Sequence, residues 1–426
     1  MEKSRKPKIR FKGFTDDWEQ RELGDLGSLK NGMNFSKDAM GHGSAFVNLQ
    51  NIFGNNVVDA KSLGLAEASE KQLLDYSLQK GDVLFVRSSV KLEGVGETAL
   101  VAENLENTTY SGFIIRFRDE YGLNNDFKKF VFATKKGRDQ IMSQATNSAN
   151  KNISQSVLEN LTLKIPSKDE QKLIGYYLST LERLITLHQR KLDKLVNVKK
   201  SMLEKMFPQQ GSRIPEIRFC GFTDDWEQRE FSEMFDCTIS NNTLSRSELS
   251  YEEGSILNIH YGDILIKYGS ILDIHKYKIP RIPNKKKEDF KGSLLQPGDV
   301  VIADTAEDET SGKACEIGGL FGNSIVAGLH TMVARPNIEM ASGYLGYYLN
   351  SNAYHCQLLP MMQGIKVQSL SRANVKKTAL KFPESTKEQQ LIANYFIQLD
   401  ELITLHQRKL EKLKNIKKSM LEKMFI

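Results

Sequence analysis

The stretch LITLHQRKLDKLVNVKKSMLEKMF at residues 184–207 returns near the end of the chain as LITLHQRKLEKLKNIKKSMLEKMF at residues 402–425. Twenty-one of these 24 positions are identical, so the chain is an internal duplication. Neither glycine nor proline interrupts residues 176–207 or 386–426, which predicts a long helix in each copy. Both helices are expected to start at a capping box, Ser-x-x-Glu, which lies at residues 167–170 and again at 385–388.

Each predicted helix carries a stripe of apolar residues and one histidine in alternating steps of four and three. This spacing is typical of a coiled coil, and the nearest matching stripe is the other copy. We therefore expect the two helices to pair, antiparallel because a long globular segment joins them, with the histidines as polar markers of the register. The stripe comprises Leu178, Leu181, Ile185, His188, Leu192 and Leu195 in the first copy and Phe396, Leu399, Ile403, His406, Leu410 and Leu413 in the second.

A second repeat opens each half: residues 10–22 recur as 218–230 with twelve of thirteen positions identical. Trp18 and Trp226 lie in this block, and their presence in both copies favours a packing role over base stacking. The intervening sequences differ, although Gly-Asp-Val at 81–83 returns at 298–300.

The predicted fold class is α+β, with two mixed α/β domains separated by a pair of long antiparallel coiled-coil helices. Strands are expected near residues 82–86, 113–117, 299–303 and 331–334, and helices near 127–132 and 342–349. The predicted segments are domain 1 at 1–165, helix 1 at 166–208, domain 2 at 209–383 and helix 2 at 384–426.

Composition is that of a globular protein, with 426 residues of which 40 % are hydrophobic. Because there is neither a long apolar run nor a leader-like start, we expect a cytoplasmic protein with no membrane partner. The net charge is +6, of which the segments 168–208 and 386–426 carry +4 and +3, so the remainder is close to neutral.

Catalytic signatures are missing from the sequence. It contains no Gly-x-x-x-x-Gly-Lys-Ser/Thr phosphate loop and no Asn-Pro-Pro-aromatic or Asp-Pro-Pro-aromatic tetrapeptide of amino-methyltransferases. His260 and Asp263 have no further ligand at metal-binding spacing. We therefore expect no active site, no metal and no bound cofactor in this chain.

Identical helices suit two copies of one partner, whereas divergent domains suit two different targets. A pseudo-twofold object of this kind would read an asymmetric, two-part DNA site, with the helices setting the distance between half-sites. Two alternatives remain open from the residues: a self-sufficient DNA methyltransferase, and a coiled-coil assembly adapter that does not touch DNA.

The whole chain resembles the specificity subunit of Type I restriction-modification enzymes, through the order of domains, the two Trp blocks and the repeated helix sequence. The resemblance implies two target-recognition domains that each read half of a split site in double-stranded DNA. It also implies that the helices dock two modification (methyltransferase) subunits, which methylate adenine, and that two restriction subunits join them. S-adenosylmethionine, ATP and magnesium would then bind to those partners.

DNA contacts are expected where the two domains differ. Asn, Gln, Arg and Lys are the side chains that read adenine and guanine edges. Because the domains carry no net positive charge, the isolated chain is expected to bind DNA weakly and in a salt-sensitive way. The candidates are Arg87, Ser88, Lys91, Gln144, Asn147, Asn150, Lys151 and Asn152 in domain 1 and Gln363, Lys366, Gln368 and Arg372 in domain 2.

Overall fold

A computed structural model describes residues 6–146 and 149–426. The chain folds into two compact units, of which unit 1 is Met1–Gln189 with Arg408–Ile426 and unit 2 is Arg190–Gln407. Each unit therefore contains the start of one long helix and the end of the other.

The elements of unit 1 are short apart from its long helices. Its strands are β1 (Glu19–Glu22), β2 (Gly27–Asn31), β3 (Met40–Val47), β4 (Gly64–Ala66), β5 (Val83–Val86), β6 (Ser88–Ser89), β7 (Thr98–Leu100), β8 (Thr108–Tyr110), β9 (Ile114–Asp119), β10 (Lys151–Asn152) and β11 (Thr162–Ile165). Its helices are α1 (Glu70–Asp75), α2 (Asn125–Val131), α3 (Lys135–Ser143), α4 (Gln155–Glu159) and the first part of α5 (Lys168–Lys205).

Unit 2 has a corresponding set of elements. Its strands are β12 (Glu227–Glu230), β13 (Phe235–Asp236), β14 (Ile256–Ile259), β15 (Ile271–Leu272), β16 (Arg281–Ile282), β17 (Val300–Ala303), β18 (Thr305–Ala306), β19 (Ala314–Ile317), β20 (Ser324–Ala327), β21 (Thr331–Pro336), β22 (Gln368–Ser369) and β23 (Ala379–Phe382). Its helices are α6 (Phe231–Met234), α7 (Tyr261–Ile266), α8 (Tyr344–Leu349), α9 (Asn352–His355), α10 (Arg372–Val375) and the first part of α11 (Thr386–Lys423).

The two units share one sheet topology although most of their sequence does not match. The main sheet runs β2-β9-β5-β7 in unit 1 and β13-β21-β17-β19 in unit 2, where β15 adds an edge strand. A three-stranded sheet follows the order β4-β3-β8 in one and β16-β14-β20 in the other, with the second pair parallel in both. The predicted α+β class is confirmed, and the unlike sequences prove to be two versions of one fold.

Both long helices form as predicted, and their apolar stripe faces inward in each unit. In unit 2, Lys199 of α5 pairs with Asp400 of α11 at 2.6 Å, and Phe207 stacks on Phe396. Because residue numbers rise on one helix as they fall on the other, the helices run antiparallel. In unit 1 the equivalent side chains, Lys417 and Glu182, pair at 2.6 Å. The other predicted stripe residues are buried or half-buried in their own units, the two histidines among the half-buried ones: Leu178, Leu181, Ile185, His188, Leu192, Leu195, Leu399, Ile403, His406, Leu410 and Leu413.

The predicted capping boxes are replaced by buried ion pairs. The backbone N–H of Glu170 does donate to the Ser167 hydroxyl, but the Glu170 carboxylate is bound by the Arg10 guanidinium at 2.7 and 2.8 Å. Arg218 binds Glu388 in the same way in unit 2. The glutamate therefore ties the start of each long helix to the repeated opening block.

The repeated tryptophans are packing residues, as predicted. Trp18 is 3 % exposed and lies edge-on to Phe425, while Trp226 is fully buried and lies edge-on to Phe207. The aromatic residue two positions after the end of each long helix thus fills the core beneath the opening block of the unit in which that helix ends.

Candidate nucleic-acid interface

A short two-stranded ribbon adjoins the main sheet of each unit, because β6 follows β5 after one residue and β18 follows β17 after one residue. In unit 1, β6 pairs with β10, so Ser88 lies opposite Asn152. In unit 2, β18 pairs with β22, so Thr305 lies opposite Ser369. The structure therefore brings together the two candidate segments of domain 1, and it places the candidate segment of domain 2 at the equivalent position.

The predicted residues of unit 1 differ in what their side chains do. Lys91, Gln144 and Asn150 are exposed at or near the ribbon. Ser88 is 8 % exposed, and Arg87 donates to the Gly112 carbonyl at 3.3 Å, so part of this set holds the loops in place. Lys151 and Asn152 are half-buried in the ribbon itself, and Asn147 lies outside the described residues.

In unit 2 the tip of the ribbon is the most accessible part. Gln363 and Lys366 are exposed, and Ile365 between them is fully exposed. The side-chain oxygen of Gln368 is buried, and Arg372 donates to the Cys237 carbonyl at 3.0 Å. The exposed residues at the tip are therefore better placed to meet a ligand than these two.

Strand register identifies further equivalent positions that the sequence did not reveal. The strands β5 and β9 of unit 1 hold the same places in the main sheet as β17 and β21 of unit 2. The pair Val86–Ile114 therefore corresponds to the pair Ala303–Thr331, and the residues next to these pairs correspond as well. The correspondence places Arg87 with Asp304, Phe113 with His330, and, from the pairing of β3 with β8 and β14 with β20, Leu49 with Tyr261. At each position the chemistry changes between the units.

In unit 2 these positions form a polar cluster. The His330 Nδ1 lies 3.3 Å from the Thr305 hydroxyl and 3.6 Å from an Asp304 carboxylate oxygen. Thr305 donates to Asp304 at 2.8 Å, and the Tyr261 ring lies edge-on to the imidazole. His330 adopts φ +55°, a left-handed conformation that turns the loop sharply at the base of the ribbon.

The cluster continues into buried charged groups beneath it. Asp263 is 5 % exposed and accepts from Arg246 at 2.6 Å, which raises the pKa of the guanidinium. His260 accepts a hydrogen bond from the Gly262 N–H at its Nδ1. Burial, reinforced by the nearby Arg246, lowers the pKa of this histidine. His260 and Asp263 are therefore held in hydrogen-bonding roles.

In unit 1 the same place is an open, largely apolar groove of about 560 Å³, which we call the Phe113 groove. Phe113 is 55 % exposed and Val90 77 % exposed, although both are apolar. The sequence pointed to Lys91 and Asn150 but missed the groove itself, because its apolar residues come from separate loops. The groove is lined by Leu49, Phe53, Ser88, Ser89, Val90, Lys91, Glu93, Gly94, Glu97, Phe113 and Asn150.

Comparison with known families identifies the class of protein. The family described as Type I restriction modification DNA specificity domain matches residues 15–197 and again residues 223–415. The chain belongs to this family and contains two copies of its domain. The function of this family, as its description states, is DNA sequence specificity.

Individual relatives and one solved structure are specificity subunits by name. A Methanocaldococcus jannaschii protein provisionally named the MjaX type I restriction enzyme specificity subunit is 24 % identical over 95 % of this chain and 92 % of its own length. The EcoKI specificity subunit of Escherichia coli is 26 % identical over 43 % of this chain and 40 % of its own. The crystal structure of a Type I S subunit from M. genitalium shares the fold, with a TM-score of 0.54 at 16 % identity over 99 % of both chains.

Across 6–146 and 149–426, no helix is both long and apolar enough to cross a membrane. Within the same ranges, no group of three or more His, Cys, Asp or Glu side chains is arranged to hold a metal ion.

Proposed function

We propose that the chain reads a bipartite DNA site, one half per unit, as a noncatalytic subunit of a Type I restriction-modification complex. The observation that carries this proposal is the combination of one topology with unlike side chains at the same loops. A shared frame would present two different reading surfaces, and base-edge contacts from such loops would specify different sequences.

The test exchanges one reading surface and leaves the frame in place. The Leu23 N–H donates to the Leu161 carbonyl at 3.0 Å, and the Phe231 N–H to the Thr378 carbonyl at 2.8 Å, so these contacts mark equivalent ends of the variable part. Replacement of residues 23–161 by the equivalent part of another family member should change one half of the methylated sequence. Replacement of 231–378 should change the other half. If both halves or neither changed in an assembled complex, the proposal would be wrong.

The repeated helices also offer a duplicated surface to partners. Leu173 and Leu187 of unit 1 are 42 % and 60 % exposed, and their repeat equivalents in unit 2, Leu391 and Leu405, are 37 % and 44 % exposed. Each pair is separated by fourteen residues, about 21 Å along one helix face. We propose that each pair contributes to docking one modification subunit, so that the chain holds two.

Charge substitution separates this docking from folding. Leu187→Glu should reduce the number of bound modification subunits from two to one, and Leu187→Glu with Leu405→Glu should abolish binding, as measured by native mass spectrometry. Leu74→Glu, at a 79 % exposed position outside the repeat, is the matched control and should leave two subunits bound. Full occupancy of the double variant would contradict the docking surface.

The chemistry is proposed to belong to the partners. On this proposal, S-adenosylmethionine binds to the modification subunits, and ATP and magnesium serve the two restriction subunits that join through them. The purified chain alone should then transfer no methyl group to DNA and should bind DNA weakly, with affinity falling steeply as salt rises. Methyl transfer by the chain alone would instead indicate a self-sufficient methyltransferase, and assembly without any effect on DNA specificity would indicate an adapter.

A further inference from the structure

The Phe113 groove presents apolar surface where the protein is expected to meet a polar ligand. Phe113, Val90 and Phe53 are 55 %, 77 % and 38 % exposed, and they come from three different loops. Exposed apolar side chains that converge on one groove indicate contact with an apolar group of a ligand.

The charges around the groove indicate which part of DNA fits. Glu93 and Glu97 line it, so a phosphate would meet two carboxylates. Lys91 and Asn150 also line it, and both residue types bind base edges in the major groove. The groove therefore suits an uncharged base edge that carries an apolar group. Among the four bases, only thymine presents a methyl group in the major groove.

At the equivalent positions unit 2 carries polar side chains. There Phe113 is replaced by His330, Leu49 by Tyr261 and Arg87 by Asp304. The contrast shows that the shared frame does not require an apolar residue here. At the positions of Phe113 and Leu49 the apolar side chain is therefore specific to unit 1, as a specificity determinant would be.

We propose that the Phe113 groove receives the 5-methyl group of a thymine in the half-site read by unit 1, and that Phe113 and Val90 are specificity-determining residues. This inference rests on the proposed function. Burial of one methyl group contributes about fourfold in affinity, which sets the size of the effect to be measured.

The experiment uses the chain assembled with its modification subunits, after the exchange of residues 23–161 has shown which half-site unit 1 reads. Deoxyuridine replaces thymidine at each position of that half-site in turn, which removes the methyl group and keeps base pairing. We expect methylation or binding to fall about fourfold at one position. Phe113→Ala should abolish the difference between thymine and uracil, and Phe113→Leu should retain part of it.

Three outcomes overturn the inference. The first is the absence of any uracil effect in the wild-type complex, and the second is an undiminished effect in Phe113→Ala. The third is a loss of subunit assembly in Phe113→Ala, which would assign the groove to a protein partner. His330→Ala, at the equivalent position of unit 2, is the matched control and should leave discrimination in this half-site intact. A wild-type complex without any sequence preference would instead refute the proposed function itself.

Discussion

Units 1 and 2 agree closely at the base of their sheets and differ at the ribbons. Arg118 binds Asp82 through two hydrogen bonds of 2.9 and 2.7 Å, and Arg335 binds Asp299 through two of 2.8 and 2.7 Å. At the ribbons, by contrast, the phenyl ring of Phe113 in unit 1 corresponds to the imidazole of His330 in unit 2. The difference teaches that the two units share the base of the fold down to individual buried ion pairs, whereas the loops at the ribbons vary.

The largest expected effect tests the aromatic cores that end the long helices. Phe207 is fully buried among Trp226, Tyr344 and Phe396, so Phe207→Ala should lower the free energy of unfolding by about 4 to 5 kcal/mol. Phe425 is 8 % exposed, so Phe425→Ala should lower the free energy of unfolding by about 3 kcal/mol. Urea unfolding of both variants measures these changes. Equal losses of unfolding free energy would show that the deeper burial of Phe207 does not make its core more sensitive.

The repeated ion pairs Arg10–Glu170 and Arg218–Glu388 should lose similar amounts of stability when their arginine is removed. Glu170 and Glu388 have side-chain exposures of 0 and 1 %, so removal of the arginine leaves a buried carboxylate without its partner. Arg10→Ala and Arg218→Ala should each cost about 4 kcal/mol in unfolding free energy. Arg21→Ala, which breaks an exposed pair with Glu19, is the control and should cost little. A large cost in one unit alone would contradict the equivalence.

A pH effect should distinguish the units. Glu316 occupies the position of Leu100, and burial raises the pKa of its carboxyl to about 7. Because the folded-state pKa exceeds the unfolded value of 4.5, the contribution of Glu316 to stability is fully present below pH 4.5 and is lost as pH rises through 7, by up to about 3 kcal/mol.

Amide hydrogen exchange measures this loss in β17, with β5 of unit 1 as the internal reference. His260 contributes with the opposite sign, since its lowered pKa removes stability as pH falls. The comparison is therefore made between wild type and Glu316→Gln, in which the loss above pH 4.5 should disappear. An identical pH profile in the two proteins would refute the role of Glu316.

The smallest expected effect lies in the ion pairs along the helices. Lys199–Asp400 and Lys417–Glu182 are about one quarter to one third exposed, so each should contribute about 1 kcal/mol or less. Lys199→Met and Lys417→Met should give similar small losses in unfolding free energy, and these should shrink in 1 M salt. A loss that is large or independent of salt would show that the pairs are not solvent-screened.

The sequence predicted the long helices, their stripe and the packing role of Trp18 and Trp226, because these depend on local periodicity and on repetition. It could not predict that the unlike domains share one topology, since strand pairing joins residues far apart in the chain. The assignment of Glu170 to a cap failed for the same reason, because its partner Arg10 lies 160 residues away.

The position of Phe425 against Trp18 also bears on the order in which the protein can be made. Unit 2 is continuous in sequence, so all of its residues are available once Gln407 has been synthesised. Unit 1 needs residues 408–426 to close its core, although most of it is translated first. The half of the protein that leaves the ribosome earliest is therefore completed last, against the usual order in which N-terminal domains finish first.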